Sequence, residues 1–223
     1  MAINMNMKNT QSNVLRKVTP IKNIIVDIID NNQNIKRACR YITSKTPFFT
    51  KGITYDDKKV NQPDIEGSLK EDLADSKDVY ATCREKILIP YAFDKELLKE
   101  DKMLIFVESP RSRIKSGNNM VEHEFWVTVA VDTKYNKLEP YGSERAMEVL
   151  CYLLDDIENK YLEDEYREDL GVLKFEVDGD RLTQKISDKG FIATSIPIVV
   201  KTSGMRFWYG YLWILWYWWF NNE

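Results

Sequence analysis

Histidine is almost missing from this chain of 223 residues, and cysteine is sparse, with one His and three Cys. A thiol or hydroxyl nucleophile needs a neighbouring base, and His123 is the single imidazole on offer, so Cys/His catalysis is disfavoured. Cys39, Cys83 and Cys151 lie far apart with no CxxC spacing. That count and spacing give neither a disulfide framework nor a zinc site, and a reduced, cytosolic place of assembly is the simple reading. Absent as well are a glycine-rich phosphate loop, a GxSxG elbow and an HExxH pair. No charge of one sign dominates: 32 basic residues stand against 35 acidic ones, for a net charge of −3. A nucleic-acid-coating protein usually carries a strong basic excess, so that class is disfavoured, although a local basic patch is compatible with the balance. The opening MAINMNMKNTQSN has no apolar core of the kind a signal peptide needs.

What is present is concentrated at the C-terminal end. Ten of the fourteen residues from Phe207 to Phe220 are aromatic (FWYGYLWILWYWWF), and five of the six tryptophans lie there. Aromatic side chains bury about 150–250 Å² each, and soluble monomers rarely expose apolar patches beyond a few hundred Å². This tail therefore needs a host: its own domain, a neighbouring subunit, another protein or a lipid surface. It is shorter than the roughly 20 residues a helix needs to span a bilayer, and richer in Trp and Tyr than in Leu and Ile. Protein docking is the favoured reading, through Phe207, Trp208, Trp213, Trp216, Trp218, Trp219 and Phe220.

The rest of the chain, 43% apolar and 30% charged, suffices for one domain. Residues 1–18 read as a polar, flexible arm. Thr19 is expected to cap a helix that starts at Pro20, and Ile21, Ile24, Ile25, Ile28 and Ile29 give it an apolar face. Asp30-Asn31-Asn32 breaks or bends it, and Ile35, Ala38, Cys39 and Ile42 continue the pattern to about 44. Residues 50–80 read as a long charged loop, and Lys86–Pro90 as a short strand.

From 101 onward the pattern is regular. Met103–Val107 is an apolar strand. Arg111–Asn119 is a basic excursion turning at Ser116-Gly117. Glu124–Asp132 is a strand with Phe125, Val127, Val129 and Val131 on one face and Trp126, Thr128, Ala130 and Asp132 on the other. A helix follows Ser143, with Ala146, Val149, Leu150, Leu153, Leu154 and Ile157 as its buried stripe. Strands at Leu173–Val177 and Phe191–Val200 complete the order, and Pro197 assigns the last one to an edge or a bulge. Ser203-Gly204 reads as a hinge into the tail. The expected fold class is α+β: an antiparallel sheet with a helix packed on one face, N-terminal helices and a C-terminal aromatic extension. The division is an arm at 1–18, a domain at 19–202 and a docking tail at 203–223.

No constellation points to chemistry. His123 sits in VEHEF, where strand geometry sends Glu122 and Glu124 to the opposite face, so the triplet makes a poor metal cluster. Asp155-Asp156 and Glu163-Asp164-Glu165 diverge around a helix. Asp178-Gly179-Asp180 lacks the ligand series of a calcium loop and reads as a turn. The expectation is a non-enzymatic chain with no cofactor and no metal. Arg111, Arg113 and Lys115 alternate along an extended arm and point the same way. That suits contact with an acidic neighbour, a phosphate backbone or the next copy of the chain.

Over residues 87–202, the stretches MLIFVESPRSR, HEFWVTVAVDT, SERAMEVLCYLLDDI and GFIATSIPIVV, in that order, resemble the domain of tail-terminator and neck (head-to-tail completion) proteins of tailed bacteriophages. NNQNIKRACRYITS and YDDKKVNQPDI are similar to the opening of phage neck proteins. The resemblance implies a self-associating ring, commonly hexameric, in the virion neck. Portal, adaptor or tail-tube proteins would lie above and below, and DNA would pass through the channel without sequence-specific binding. It implies that the loop at 110–120 reaches a neighbouring subunit or the tail tube, and that assembly takes place in the host cytoplasm. The aromatic tail is an addition to the family pattern. The other readings are a peripheral membrane or host-interaction factor anchored by 207–220, and an enzyme whose acidic site includes Asp178 or Asp180.

Overall fold

The computed structural model describes residues 5–43, 54–55, 58–59, 64–73, 83–99, 102–115, 120–138, 142–161, 171–186 and 190–203. The turn at Ser116-Gly117, the acidic run 162–170 and the aromatic tail lie outside them.

Helix α1 runs over Met5–Asn31, with Pro20 inside it. The expected start at Thr19 is thus corrected, and residues 5–18 belong to the helix. An internal proline removes one backbone donor and crowds the carbonyl four residues back. Tertiary packing offsets that local cost, because Ile21, Ile25, Ile28 and Ile29 are all buried. The break falls where the asparagines predict it. Asn32 Oδ1 accepts from the Ile35 amide at 2.9 Å, capping α2 at Gln33–Arg40.

The stretch expected as a long loop contains a small hairpin, β1 (Thr54–Tyr55) and β2 (Lys58–Lys59). It also contains a segment, 64–73, that is tied to the helices. The fully buried Arg40 is the tie. Its Nη1 donates to the carbonyls of Cys83 (3.2 Å) and Glu85 (2.6 Å), and its Nη2 to those of Ser68 (2.6 Å) and Glu71 (3.0 Å). Asp30, at the end of α1, accepts from the Leu69 amide at 2.6 Å and the Ser68 hydroxyl at 2.8 Å.

The main sheet has six strands: β3 (Leu88–Ile89), β4 (Met103–Lys115), β5 (Met120–Asp132), β6 (Val172–Val177), β7 (Thr183–Ile186) and β8 (Phe191–Ser203). Their order is β3-β4-β5-β8-β6, with β7 also on β8. The class is α+β, as expected, but the sheet is mixed, because β3 pairs parallel to β4. A parallel pair needs a crossover, and segment 90–102 supplies it. On the way it packs Leu98 against the outer face of the sheet and sets the Phe93 ring edge-on to Phe106 at 5.0 Å.

The strands differ from expectation in several places: β5 begins at Met120 rather than Glu124, β7 falls where no strand was expected, and β4 and β8 differ most. β4 continues through the supposed basic excursion to Lys115, in register with β5 from Arg111↔Glu124 to Lys115↔Met120. The mostly polar stretch 111–115 forms ladder here because β5 is already positioned beside it, an effect that local composition does not encode. β8 is interior rather than an edge, with β5 on one side and β6 and β7 on the other. Pro197 is tolerated because β6 reaches back only to Ile198 and β7 begins at Ser195, so the proline sits in the gap between the two ladders. Its carbonyl accepts from the Asp178 amide on that side at 3.3 Å. Donor and acceptor of one strand residue point the same way, so the missing N–H faces the same gap.

Short helix α3 (Thr133–Asn136) and helix α4 (Arg145–Tyr161) follow β5. Gly142 (φ 69°) makes the left-handed turn before α4 that favours glycine. The predicted α4 stripe is buried, with Leu154 only partly so. The main core lies between α1, α2 and α4 and the inner sheet face carrying Phe125, Val127, Val129 and Val131. A smaller core on the outer face joins Ile89, Leu98, Leu104, Phe106, Ala130 and Phe191. Arg145 opens α4 and is buried, donating to the carbonyls of Tyr135 (2.8 Å), Ala38 (2.7 Å) and Ile42 (3.1 Å).

Candidate interaction surface

The crossover segment covers one half of the sheet's outer face. The other half, towards the β4–β5 hairpin, carries charged side chains around a recess of about 400 Å³ lined by Arg111, Arg113, Glu122, Glu124, Glu176 and Arg181. Strand alternation sends the even residues of β5 to this face and His123 inward, as the sequence predicts.

Glu124 is the centre of the surface. Its side chain is only 9% exposed. Its carboxylate accepts from Arg111 Nε at 2.5 Å, Trp126 Nε1 at 2.8 Å and Arg181 Nη2 at 2.8 Å. Burial by itself would raise its pKa. The hydrogen bonds from Arg181, Trp126 and Arg111, together with the Arg181 charge, outweigh burial and hold it at about 2. Arg181 also stacks over the Trp126 ring at 5.1 Å from its centroid. In the next row, Lys201 Nζ lies 2.6 Å from Glu176 and 3.8 Å from Glu122, and Lys174 lies 3.0 Å from Glu176. Lys201 and Lys174 draw the Glu176 pKa down. One row reads Arg113–Glu122–Lys201 across three strands and the adjacent row opens with Arg111–Glu124, a mixed-charge pattern suited to meeting another charged protein surface in a fixed register.

His123 is fully buried, with Nδ1 at 2.9 Å from the Ser112 hydroxyl and Nε2 at 3.1 Å from the Thr202 hydroxyl. A serine beside an imidazole has the outline of a nucleophile and base. Here the second nitrogen meets a hydroxyl where a triad would place a carboxylate. Burial, with the Lys17 charge, pushes the His123 pKa down to about 4, so the ring is a weak base. Cys39 and Cys83 are buried thiols, and burial raises both, Cys39 to about 12. Cys151, beside the buried stripe of α4, is exposed. Its place on the helix falls just beyond the apolar arc. Asp178-Gly179-Asp180 enters a single 3-10 turn over Gly179–Arg181, as a connection between β6 and β7. Asp156 accepts from Asn32 Nδ2 at 2.8 Å and joins α4 to the α1–α2 junction. Among the described residues, no group of three His, Cys, Asp or Glu side chains is placed to hold a metal ion. No described helix is long and apolar enough to cross a membrane.

Of the residues singled out from sequence, Arg111, Arg113 and Lys115 fall on β4 itself. Arg111 is committed to Glu124 within the chain, whereas Arg113 is exposed and stands in register with Glu122. Phe207, Trp208, Trp213, Trp216, Trp218, Trp219 and Phe220 lie outside the described residues. Glu124, Trp126 and Arg181 were not singled out as a group. The alternation in VEHEFW carries part of the signal, but Arg181 arrives from more than fifty residues away in sequence.

A second surface adjoins the first. Beyond Phe106, no described strand pairs with the outer edge of β4. A groove of about 730 Å³ runs between that edge and α1, lined by Leu15, Val18, Thr19, Ser109, Pro110, Arg111, Ser112 and Ile114. Leu15 is 70% exposed and Ile114 48%. The two surfaces and the end of β8 crowd the same rim of an α+β domain. In comparison with known proteins, the chain matches no family model and no curated relative.

Proposed function

We propose that this chain is a structural, non-enzymatic virion protein of a tailed bacteriophage. It forms a ring in the neck that joins capsid and portal to the tail, as a tail terminator or head–tail connector. The observation that carries the reading is the distribution of cover. Helices seal the inner sheet face, while among the described residues the charged outer half-face and the β4 edge beyond Phe106 are left uncovered at one rim. Distinct patches of this kind suit heterologous contacts between identical copies, which generate rings when the rotation closes. The strand and helix order that resembles neck proteins supports the same reading. Its partners are further copies of itself and the portal, adaptor or tail-tube proteins above and below. DNA passes through the channel without sequence-specific contacts.

The test is the mass of the purified protein by native mass spectrometry and sedimentation. A defined multiple of 26.3 kDa is expected. A monomer at every concentration would overturn the ring. Co-flotation with liposomes, lost on deleting 207–223, would favour a membrane-surface factor instead.

A further inference from the structure

We propose that the groove between α1 and the free edge of β4 is the docking site for the aromatic segment Phe207–Phe220 of a second copy of this chain. The inference rests on the ring reading only in requiring self-association.

The groove has the chemistry this segment needs. Leu15, Val18 and Ile114 provide apolar walls, and two of them are large side chains left in water. Thr19 and Ser109 add hydroxyl-bearing residues to the lining, partners for the N–H of tryptophan and the O–H of tyrosine. At about 730 Å³ the groove is open to solvent and roomy enough to receive bulky side chains. The β4 ladder shifts register between Glu108 and Arg111, with Pro110 inside the shift. That irregularity disfavours addition of a regular strand and leaves the groove to inserted side chains.

The direction of the chain favours a neighbour over the same molecule. β8 runs antiparallel to β5, which runs antiparallel to β4, so β8 leaves the sheet at the rim where β4 ends. Lys17 Nζ donates to the Ser203 carbonyl at 2.9 Å and fixes the exit against α1, one turn from Leu15 and Val18. The groove residues of β4 lie behind that rim. To enter its own groove, the tail would cross two strand spacings, about 10 Å, and then reverse. Residues 204–206 reach at most about 10–11 Å when extended, so the crossing uses them up and the leading aromatics Phe207 and Trp208 would have to form the reversal rather than fill the groove. Outward, the same lead delivers Phe207 directly to another molecule.

The area agrees. Ten aromatic side chains at about 150–250 Å² each can bury on the order of 1,500–2,500 Å², so burying about half of them supplies the roughly 800 Å² that each partner contributes to a stable protein–protein interface. The groove takes the leading few, and the remainder lies along the neighbour. Tail and groove are different patches, so the contact is heterologous and propagates around a ring.

Two full-length variants test this: a groove variant carrying Leu15→Glu and Ile114→Glu, and a tail variant carrying Trp213→Glu, Trp216→Glu and Phe220→Glu. Leu15 and Ile114 are exposed, so the groove substitutions spare the core, and thermal melting followed by circular dichroism checks that both variants fold; Ile114→Ser is the milder fallback. Native mass spectrometry should find assembled wild type, monomers for each variant alone, and a heterodimer when the two are mixed. A groove variant that assembles like wild type overturns the docking site and leaves the ring reading intact. A mixture of folded variants that stays monomeric also overturns it. An independent readout is binding of a carrier protein bearing residues 204–223 to the full-length tail variant. Adding Ile114→Glu to that variant should weaken binding at least tenfold. Retained binding sinks the docking site whatever the ring does. Lost binding with wild type that forms open, concentration-dependent oligomers of no fixed mass supports the site and overturns the ring, and a monomeric wild type overturns both.

Discussion

Arg145 Nη1 lies 2.7 Å from the carbonyl oxygen of Ala38, joining the first turn of α4 to the last turn of α2. The same guanidinium reaches Ile42 and Tyr135, so one side chain fixes the helical layer against the strand–helix connection. Burial lowers its pKa to about 10, which leaves it charged at neutral pH. Arg145→Met should destabilise the fold by about 2–4 kcal/mol, because it leaves buried carbonyls without donors. Arg145→Lys should recover only part of that, since one ammonium lacks the planar fork. Denaturant titration measures both, and a loss below about 0.5 kcal/mol for the methionine variant would contradict the role.

His123 should make the fold acid-sensitive. Its folded pKa of about 4 lies below the ordinary value of 6.5. The unfolded chain therefore binds the extra proton first as pH falls. The stabilisation is present above 6.5 and is lost progressively down to about 4. The loss from this group is on the order of 3 kcal/mol. His123→Gln should flatten the stability profile in that window; an unchanged profile would remove His123 as the cause.

Glu124 acts in a lower window. Its pKa is depressed to about 2 from 4.5, so its contribution holds above 4.5 and disappears as pH falls towards 2. Glu124→Gln should cost about 1–3 kcal/mol at neutral pH and make that acid limb shallower. Equal slopes for variant and wild type between pH 4.5 and 2 would refute the assignment.

The three basic residues of β4 should separate by role. Arg111→Ala should lower the melting temperature by removing a donor from buried Glu124. Arg113→Ala and Lys115→Ala should leave melting unchanged and weaken assembly, read as a shift to lower mass by sedimentation. Undisturbed assembly in the double variant would return these two to ordinary solvated charge.

Truncation after Ser203 should leave a folded domain, because every described core residue lies before it. Its melting temperature should stay within a few degrees of wild type while assembly and incorporation into particles are lost. Full assembly of the truncated chain would show that the tail is dispensable.

Periodicity made the local elements legible. The isoleucines of α1, the stripe of α4 and the alternation of β5 each repeat the period of one element, and each buries the predicted face. The break at Asn32 was legible for the same reason, because a capping asparagine acts on residues three positions away. The candidate surface was legible only in part. Arg111 and Arg113 stood out by charge and alternation. Their partners Glu124 and Glu122 depend on how the hairpin closes, and the charge pattern of one strand does not contain that register.

By itself, the sequence determined the α+β class, the inward face of each long element and the aromatic terminus, since these follow from side-chain spacing and composition along a single segment. Tertiary structure alone decided the parallel β3, the interior place of β8 with its proline in a gap between two ladders, and the continuation of α1 through Pro20. It also decided the two buried arginines that bind distant carbonyls, and the groove beside β4. Each of these depends on segments tens of residues apart meeting in space, where packing and hydrogen bonding outweigh local preference.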